Sequence, residues 1–240
     1  LMWLKDYHFD GLRIDAVHAI VDTSAVHFLE QLAYEVAELQ AQTGRHLALI
    51  AESDLNDPRV IRPREIGGYG IHAQWSDDFH HALHCVLTGE RAGYYADFGS
   101  LADLAKTFRR VFVYDGRYSS FRCRRHGRPP SGLSGNSFLG YLQTHDQIGN
   151  RAKGERSSHL MSVGRLKIAA ALVLTAPFIP MLFQGEEWGA TQPFCFFTDF
   201  HDALADAVRE GRRREFKRFP EFASEAARAH IPDPNAWSTF

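Results

Sequence analysis

Cysteine is scarce: Cys85, Cys123 and Cys195 lie far apart, are odd in number and form no CxxC pair. That excludes a disulfide framework or a cysteine-rich zinc site and points to a reducing compartment, the cytoplasm. An excess of one charge sign is missing too. Lys and Arg together number 27 against 29 Asp and Glu in 240 residues, a formal net charge of -2, so nothing global draws the chain to nucleic acid or an anionic membrane. The longest mainly apolar run, Ile168 to Phe183, is broken by Thr175, Pro177 and Pro180. It falls short of the ~20 residues needed to cross a bilayer and predicts a buried helix followed by a strand. Internal repeats and an HExxH zinc motif are absent. Gly67-Gly68-Tyr69-Gly70 precedes a strand instead of linking a strand to a helix, so it is no dinucleotide fingerprint.

What is present is an alternation of strands and helices, the pattern of an α/β protein. From Ser24 the residues Ala25, Phe28, Leu29, Leu32, Ala33, Val36 and Leu39 fall at helical spacing, and Gly44 sits where a C-terminal cap belongs. Phe9 to Val17 predicts a strand before that helix. Leu47-Ala48-Leu49-Ile50-Ala51 predicts one after it, buried on both faces. Strand, helix and strand in this order imply parallel pairing with a right-handed crossover. Further strands are expected near 70–74, 138–144 and 179–183, and helices over 101–110, 162–174 and 202–217. Residues 114–136, polar and rich in Gly and Pro, read as a surface loop.

Three strands end in acids: Asp15 after GLRI, Glu52 after LALIA, and Asp146 after YLQTH. In a parallel α/β sheet the C-terminal strand ends share one edge, so the three carboxylates are expected in one crevice. Neighbouring carboxylates repel, which separates their pKa values into an acid and an ionised partner. Glycoside cleavage is the reaction class that most uses such a pair.

Gly11-Leu12-Arg13-Ile14-Asp15-Ala16-Val17-His18, Ile50-Ala51-Glu52 and His145-Asp146-Gln147 resemble the fourth, fifth and seventh strand motifs of the α-amylase superfamily, glycoside hydrolase family thirteen. Residues 73–84 (AQWSDDFHHALH), 145–151 (HDQIGNR) and 185–190 (GEEWGA) narrow the likeness to members that release a terminal trehalose from an α-1,4-glucan. The resemblance implies a retaining α-glycosidase on a (β/α)8 TIM barrel, of which this chain carries strands four to eight with their helices. It implies Asp15 as nucleophile, Glu52 as general acid/base and Asp146 as the third acid, binding sugar hydroxyls. Arg13, two residues before Asp15 and on the same side of the strand, would keep the nucleophile ionised. His18, His145, Gln147, Trp75 and Asp78 are expected to contact or shape the glucan site. No cofactor and no metal are implied. A branching enzyme of the same superfamily, passing the glycosyl group to a sugar hydroxyl, is the alternative activity; a non-catalytic glucan-binding relative is the alternative class.

Other features have plainer readings. His80 and His84 are at i and i+4, yet no third ligand accompanies them; with His81, Trp75, Asp77 and Asp78 they are expected to shape the crevice. Arg122 to Arg128 is locally basic but without interleaved aromatics, and reads as a solvated loop near the site. Trp75, Trp188 and the Phe194 to Phe197 cluster could stack on sugars or pack a core. The Arg-rich run 209–218 carries Glu210 and Glu215 at spacings that pair charges along an exposed helix face. With Asp15 at the end of strand four, 240 residues leave no room for strands one to three. The expectation is therefore a partial barrel over 1–218, then 219–240 as a linker toward a β-sandwich. Such a half-barrel would have an unpaired edge and no activity without its N-terminal half.

Overall fold

In the computed structural model, which describes residues 1–240, the helices are α1 (Met2–Lys5), α2 (Phe28–Thr43), α3 (Asp77–Thr88), α4 (Leu101–Arg110), α5 (His145–Gly149), α6 (Ser157–Leu160), α7 (Val163–Thr175), α8 (Asp202–Phe216) and α9 (Glu225–Ala229). The strands are β1 (Gly11–Ile14), β2 (Ala48–Ala51), β3 (Ala73–Trp75), β4 (Tyr118–Ser119), β5 (Arg124–Arg125), β6 (Phe138–Gly140) and β7 (Ile179–Pro180). The chain divides into two units, residues 1–142 with 169–181, and residues 143–168 with 182–240.

The first unit is built on a parallel sheet ordered β1-β2-β3-β6-β7. Gly11 pairs with Ala48, Ile50 with Ala73, Gln74 with Phe138, and Leu139 with Ile179. Side chains alternate between the two faces, as the period of a strand requires. Leu12, Ile14, Leu49 and Ala51 pack with Leu29, Ala33, Val36 and Leu39 of α2. Ile50, Ala73, Trp75, Leu139, Tyr141 and Met181 form a separate inner cluster on the other face. The expected helix over 24–39 starts at Phe28, where the His27 ring accepts a hydrogen bond from the Leu29 amide, and Gly44 closes it at φ 69°. Gly11 is required by proximity: a Cβ there would lie 2.7 Å from the Ala48 carbonyl oxygen of the neighbouring strand.

Observed strands are shorter than the apolar runs that predicted them. After Gly140 the chain leaves β6, and Thr144 becomes the N-cap of α5, its hydroxyl accepting from the Asp146 amide. The long apolar run is also more open than expected. In α7 Ala169 and Val173 are buried while Ile168 and Leu174 are exposed, so a single stripe of i, i+4 residues is covered.

The 114–136 excursion contains the antiparallel β4-β5 hairpin, and parts of it are interior: Tyr114, Ser119 and His126 are buried. Asp97 gathers its donors, the Tyr114 and Ser119 hydroxyls and the backbone and side chain of Ser120. The solvated-loop reading of 122–128 is overturned for two residues. Arg122 donates to the Asp54 carboxylate at 2.7 Å, and the His126 ring lies 2.6 Å from the Asp54 carbonyl. A half-buried carboxylate draws its cation inward, which composition alone does not show.

In the second unit, Phe216 at the end of α8 packs with Ala152 and Ile231, flanked by Phe219 and Phe222. Charges on α8 pair at i, i+3, as in Arg209 with Asp206 and Arg213 with Glu210. Arg212 departs from the expected exposed face. It is buried, and its guanidinium donates to the carbonyls of Gly149 at 2.7 Å, the last residue of α5, and of Arg151 at 2.9 Å in the turn that follows.

Candidate active site

Asp15 and Glu52 directly follow the neighbouring strands β1 and β2. Arg13, the inward residue of β1, spans them: one guanidinium nitrogen donates to Asp15 Oδ1 and the other lies 3.3 Å from Glu52 Oε2. A single planar fork therefore holds two carboxylates in one cluster. Their settings differ. Asp15 leaves 76% of its side chain accessible and Glu52 21%, so one acid is open to water while the other is sheltered.

Local backbone fixes this geometry. Ala16 takes the left-handed conformation at φ 42°, ψ 49°, unusual for a residue with a Cβ. Its amide donates to Glu52 Oε2 at 2.7 Å, and the Val17 amide donates to the Glu52 carbonyl at 3.0 Å. The turn after Asp15 is thus tied to the end of β2.

Beneath the acids the Trp75 indole carries the Arg13 guanidinium 4.4 Å from its ring centre. The Tyr141 ring meets Trp75 edge-on at 5.7 Å and stacks on His80 at 5.4 Å, and its hydroxyl donates to Asp77. Burial raises the Asp77 carboxyl to about 7. The Tyr141 hydrogen bond opposes that rise, and the charges of Asp54, Asp78 and Glu52 add to it.

Asp78 is turned away from its neighbour. Its carboxylate accepts from Asn56 Nδ2 at 2.8 Å and from the amides of Val113 and Tyr114 at 2.6 and 2.9 Å, which makes it an anchor for the start of the 114–136 excursion. Burial pushes it up to about 6 against those donors. His18 follows the Ala16 turn, 4.0 Å from Asp54. Burial alone would raise Asp54, but the hydrogen bond and charge of Arg122, with His18 and His126, hold it below the usual carboxylate range. Asp54 and Asn56 were not legible as site residues, since loop acids and asparagines look alike until their partners are known.

The ring nitrogens of His80 face the Leu142 carbonyl and the Tyr95 hydroxyl, and His84 faces Glu90. These contacts take up the i, i+4 pair that could have held a metal.

In the second unit, Asp146 and Gln147 occupy the first turn of α5. The Thr144 hydroxyl donates to Gln147 Oε1 at 2.6 Å, and the His145 ring lies 3.5 Å from Asp146. Glu186 accepts from the Phe183 amide. Burial raises its carboxyl to about 7, against hydrogen bonds from Gln143 and Phe183. Trp188 is exposed, so it is not a core residue of this structure.

No family model matches the chain. The crystal structure of an alpha-amylase candidate from Salmonella typhimurium superposes with a TM-score of 0.88 at 40% identity, over 99% of this chain and 40% of that one. Over that stretch the chain is similar in sequence and fold to an alpha-amylase-family enzyme. The five parallel strands correspond to part of the superfamily's TIM barrel. Among curated relatives, the malto-oligosyltrehalose trehalohydrolase of Mycobacterium tuberculosis is 53% identical over 243 residues, all of this chain and 41% of the relative. That of Saccharolobus solfataricus is 53% identical over 214 residues, 89% of this chain and 37% of the relative. That of Deinococcus radiodurans is 43% identical over 242 residues, all of this chain and 38% of the relative. The chain thus spans about 40% of the length of the curated relatives it matches.

Proposed function

We propose that this chain supplies the acid pair of a malto-oligosyltrehalose trehalohydrolase, which cleaves the α-1,4 bond next to the terminal trehalose of an α-1,4-glucan by a retaining double displacement. The observation that carries the reading is the Arg13 bridge between Asp15 and Glu52 on adjacent strand ends; the names of relatives aligned along the whole chain supply the substrate. Asp15, open and paired with a guanidinium, suits the nucleophile: its carboxylate bonds to the anomeric carbon as Glu52 protonates the departing oxygen of trehalose. Water, deprotonated by Glu52, then attacks that carbon and frees Asp15. Glu52 is the more sheltered of the two carboxylates and is assigned the proton-transfer role. Asp146 takes the third-acid role on sugar hydroxyls, and His18, His145 and Gln147 are assigned to substrate binding. Residues 1–218 belong to the catalytic barrel on this reading, and 219–240 lead toward a β-sandwich. The exposed, unpaired thiol of Cys123 suits a cytoplasmic setting, and glucan is the partner assigned.

The test is trehalose release from maltooligosyltrehalose by the protein carrying this chain, compared with its Glu52→Gln variant. A loss of about 10³-fold or more with substrate binding retained is expected. Turnover within tenfold of the unaltered protein would overturn the role of Glu52. Branching of linear glucan without trehalose release would overturn the activity.

A further inference from the structure

Trp75 was expected to offer a sugar platform or pack a core, and its surroundings point elsewhere. The residue is 8% exposed, and one ring face is taken by the Arg13 guanidinium at 4.4 Å. A face so covered has no room for a pyranose ring. The guanidinium it carries is the one that reaches both Asp15 and Glu52. Trp75 lies on β3 and Arg13 on β1, with β2 and Ile50 between them, so the contact crosses the inner face of the sheet.

The indole is itself held in place. Tyr141 is fully buried and meets Trp75 edge-on. Its other contacts, the stacked His80 ring and the Asp77 carboxylate that accepts its hydroxyl hydrogen bond, leave it little freedom to turn. His80 is pinned in turn by the Leu142 carbonyl and the Tyr95 hydroxyl. A side chain with four rotatable bonds, placed between two carboxylates, loses a further degree of freedom when something flat and rigid lies against its plane. Here that surface is an indole locked by a tyrosine, a histidine and an aspartate.

We infer that Trp75, buttressed by Tyr141 and Asp77, is a positioning residue: it orients the Arg13 guanidinium so that one fork serves both Asp15 and Glu52. Trp75 does not touch the sugar, and its effect on the reaction passes through Arg13. The inference rests on the proposed activity for its kinetic consequence, but the geometry it assigns to Arg13 can be read without turnover.

The experiment compares Trp75→Leu and Trp75→Phe with the unaltered protein carrying this chain, each checked for a native near-ultraviolet circular dichroism spectrum. Kinetics on maltooligosyltrehalose are expected to show kcat falling at least 30-fold in Trp75→Leu with KM within threefold, and Trp75→Phe recovering most of the loss. In parallel, the Arg13 Nε–H proton resonance, shifted upfield by the indole ring current, should move to its ordinary position in Trp75→Leu and partly return in Trp75→Phe. A rise in KM at unchanged kcat would identify a sugar platform, and an unshifted Arg13 resonance would show that the guanidinium does not sit on the ring; each overturns the inference. Should Trp75→Leu fail to fold, Trp75→Phe and the resonance of the unaltered protein still decide. If the unaltered protein releases no trehalose, the proposed activity falls while the Arg13 resonance continues to test the positioning.

Discussion

Asn56 and Asp78 are joined by a buried hydrogen bond of 2.8 Å, from Asn56 Nδ2 to the Asp78 oxygen that also receives the amides of Val113 and Tyr114. One carboxylate therefore fastens the loop after β2, the first turn of α3 and the strap after α4. Asp78→Ala would strand three buried donors. It is expected to destabilise the protein by about 2–4 kcal/mol, read as a lowered urea midpoint. A loss below about 0.5 kcal/mol would show the anchor to be dispensable.

Asp77 and Asp78 bind protons more tightly in the folded protein, near 7 and 6 against an ordinary value of 3.8. A raised pKa in the folded state contributes stability that is fully present below the unfolded value and is lost as pH rises through the folded one. Between about pH 4 and 7 these two groups make stability fall as pH rises. Asp77→Asn keeps an oxygen to accept from Tyr141 and removes the titration. Its urea midpoint should fall less steeply over that window than that of the unaltered protein. Parallel slopes would show that Asp77 does not titrate there.

Arg13→Lys keeps the charge and loses the fork. An ammonium can sit beside one carboxylate but has no second nitrogen fixed in plane to reach the other. Trehalose release is expected to drop at least tenfold in kcat with little change in KM. A variant within threefold of the unaltered protein would show that charge alone suffices.

Gly140 ends β6 where a Cβ would lie 3.0–3.1 Å from the rings of Phe178 and Phe79. Those rings are in contact with each other and with Phe108, so neither has an easy place to go. Gly140→Ala is expected to cost about 1–3 kcal/mol, measured by thermal or urea unfolding. An unchanged midpoint would mean that the cluster yields readily.

Much of the first unit was legible because its signals are local. Leu47 to Ala51 reads as a buried strand, the spacing from Phe28 to Leu39 gives a helix face, and Gly44 marks its end; each survives in the structure within a few residues. Asp15 and Glu52, just past β1 and β2, were visible for the same reason, whereas Asp146, expected at a strand end, lies in the first turn of α5 because β6 stops at Gly140. What stayed hidden depends on partners distant in sequence. Asp77 and Asp78 are neighbours of identical type, yet one takes a tyrosine hydroxyl and the other two backbone amides more than thirty positions away. Arg122 sits in a string of exposed-looking arginines, and nothing in that string tells that Asp54 draws it in. Arg212 likewise looks like one more surface cation until the carbonyls of Gly149 and Arg151 are seen around it.

The left-handed Ala16 is held by the same carboxylate to which acid catalysis is assigned. Truncating Glu52 to alanine would thus delete a chemical group and unclip the bend that aims Asp15, so an alanine scan across this stretch would credit Glu52 with losses that belong to its neighbour. Glutamine retains an oxygen for the Ala16 amide and is the cleaner subtraction. The difference in rate between the two variants measures how far the bend, apart from any proton, contributes to turnover.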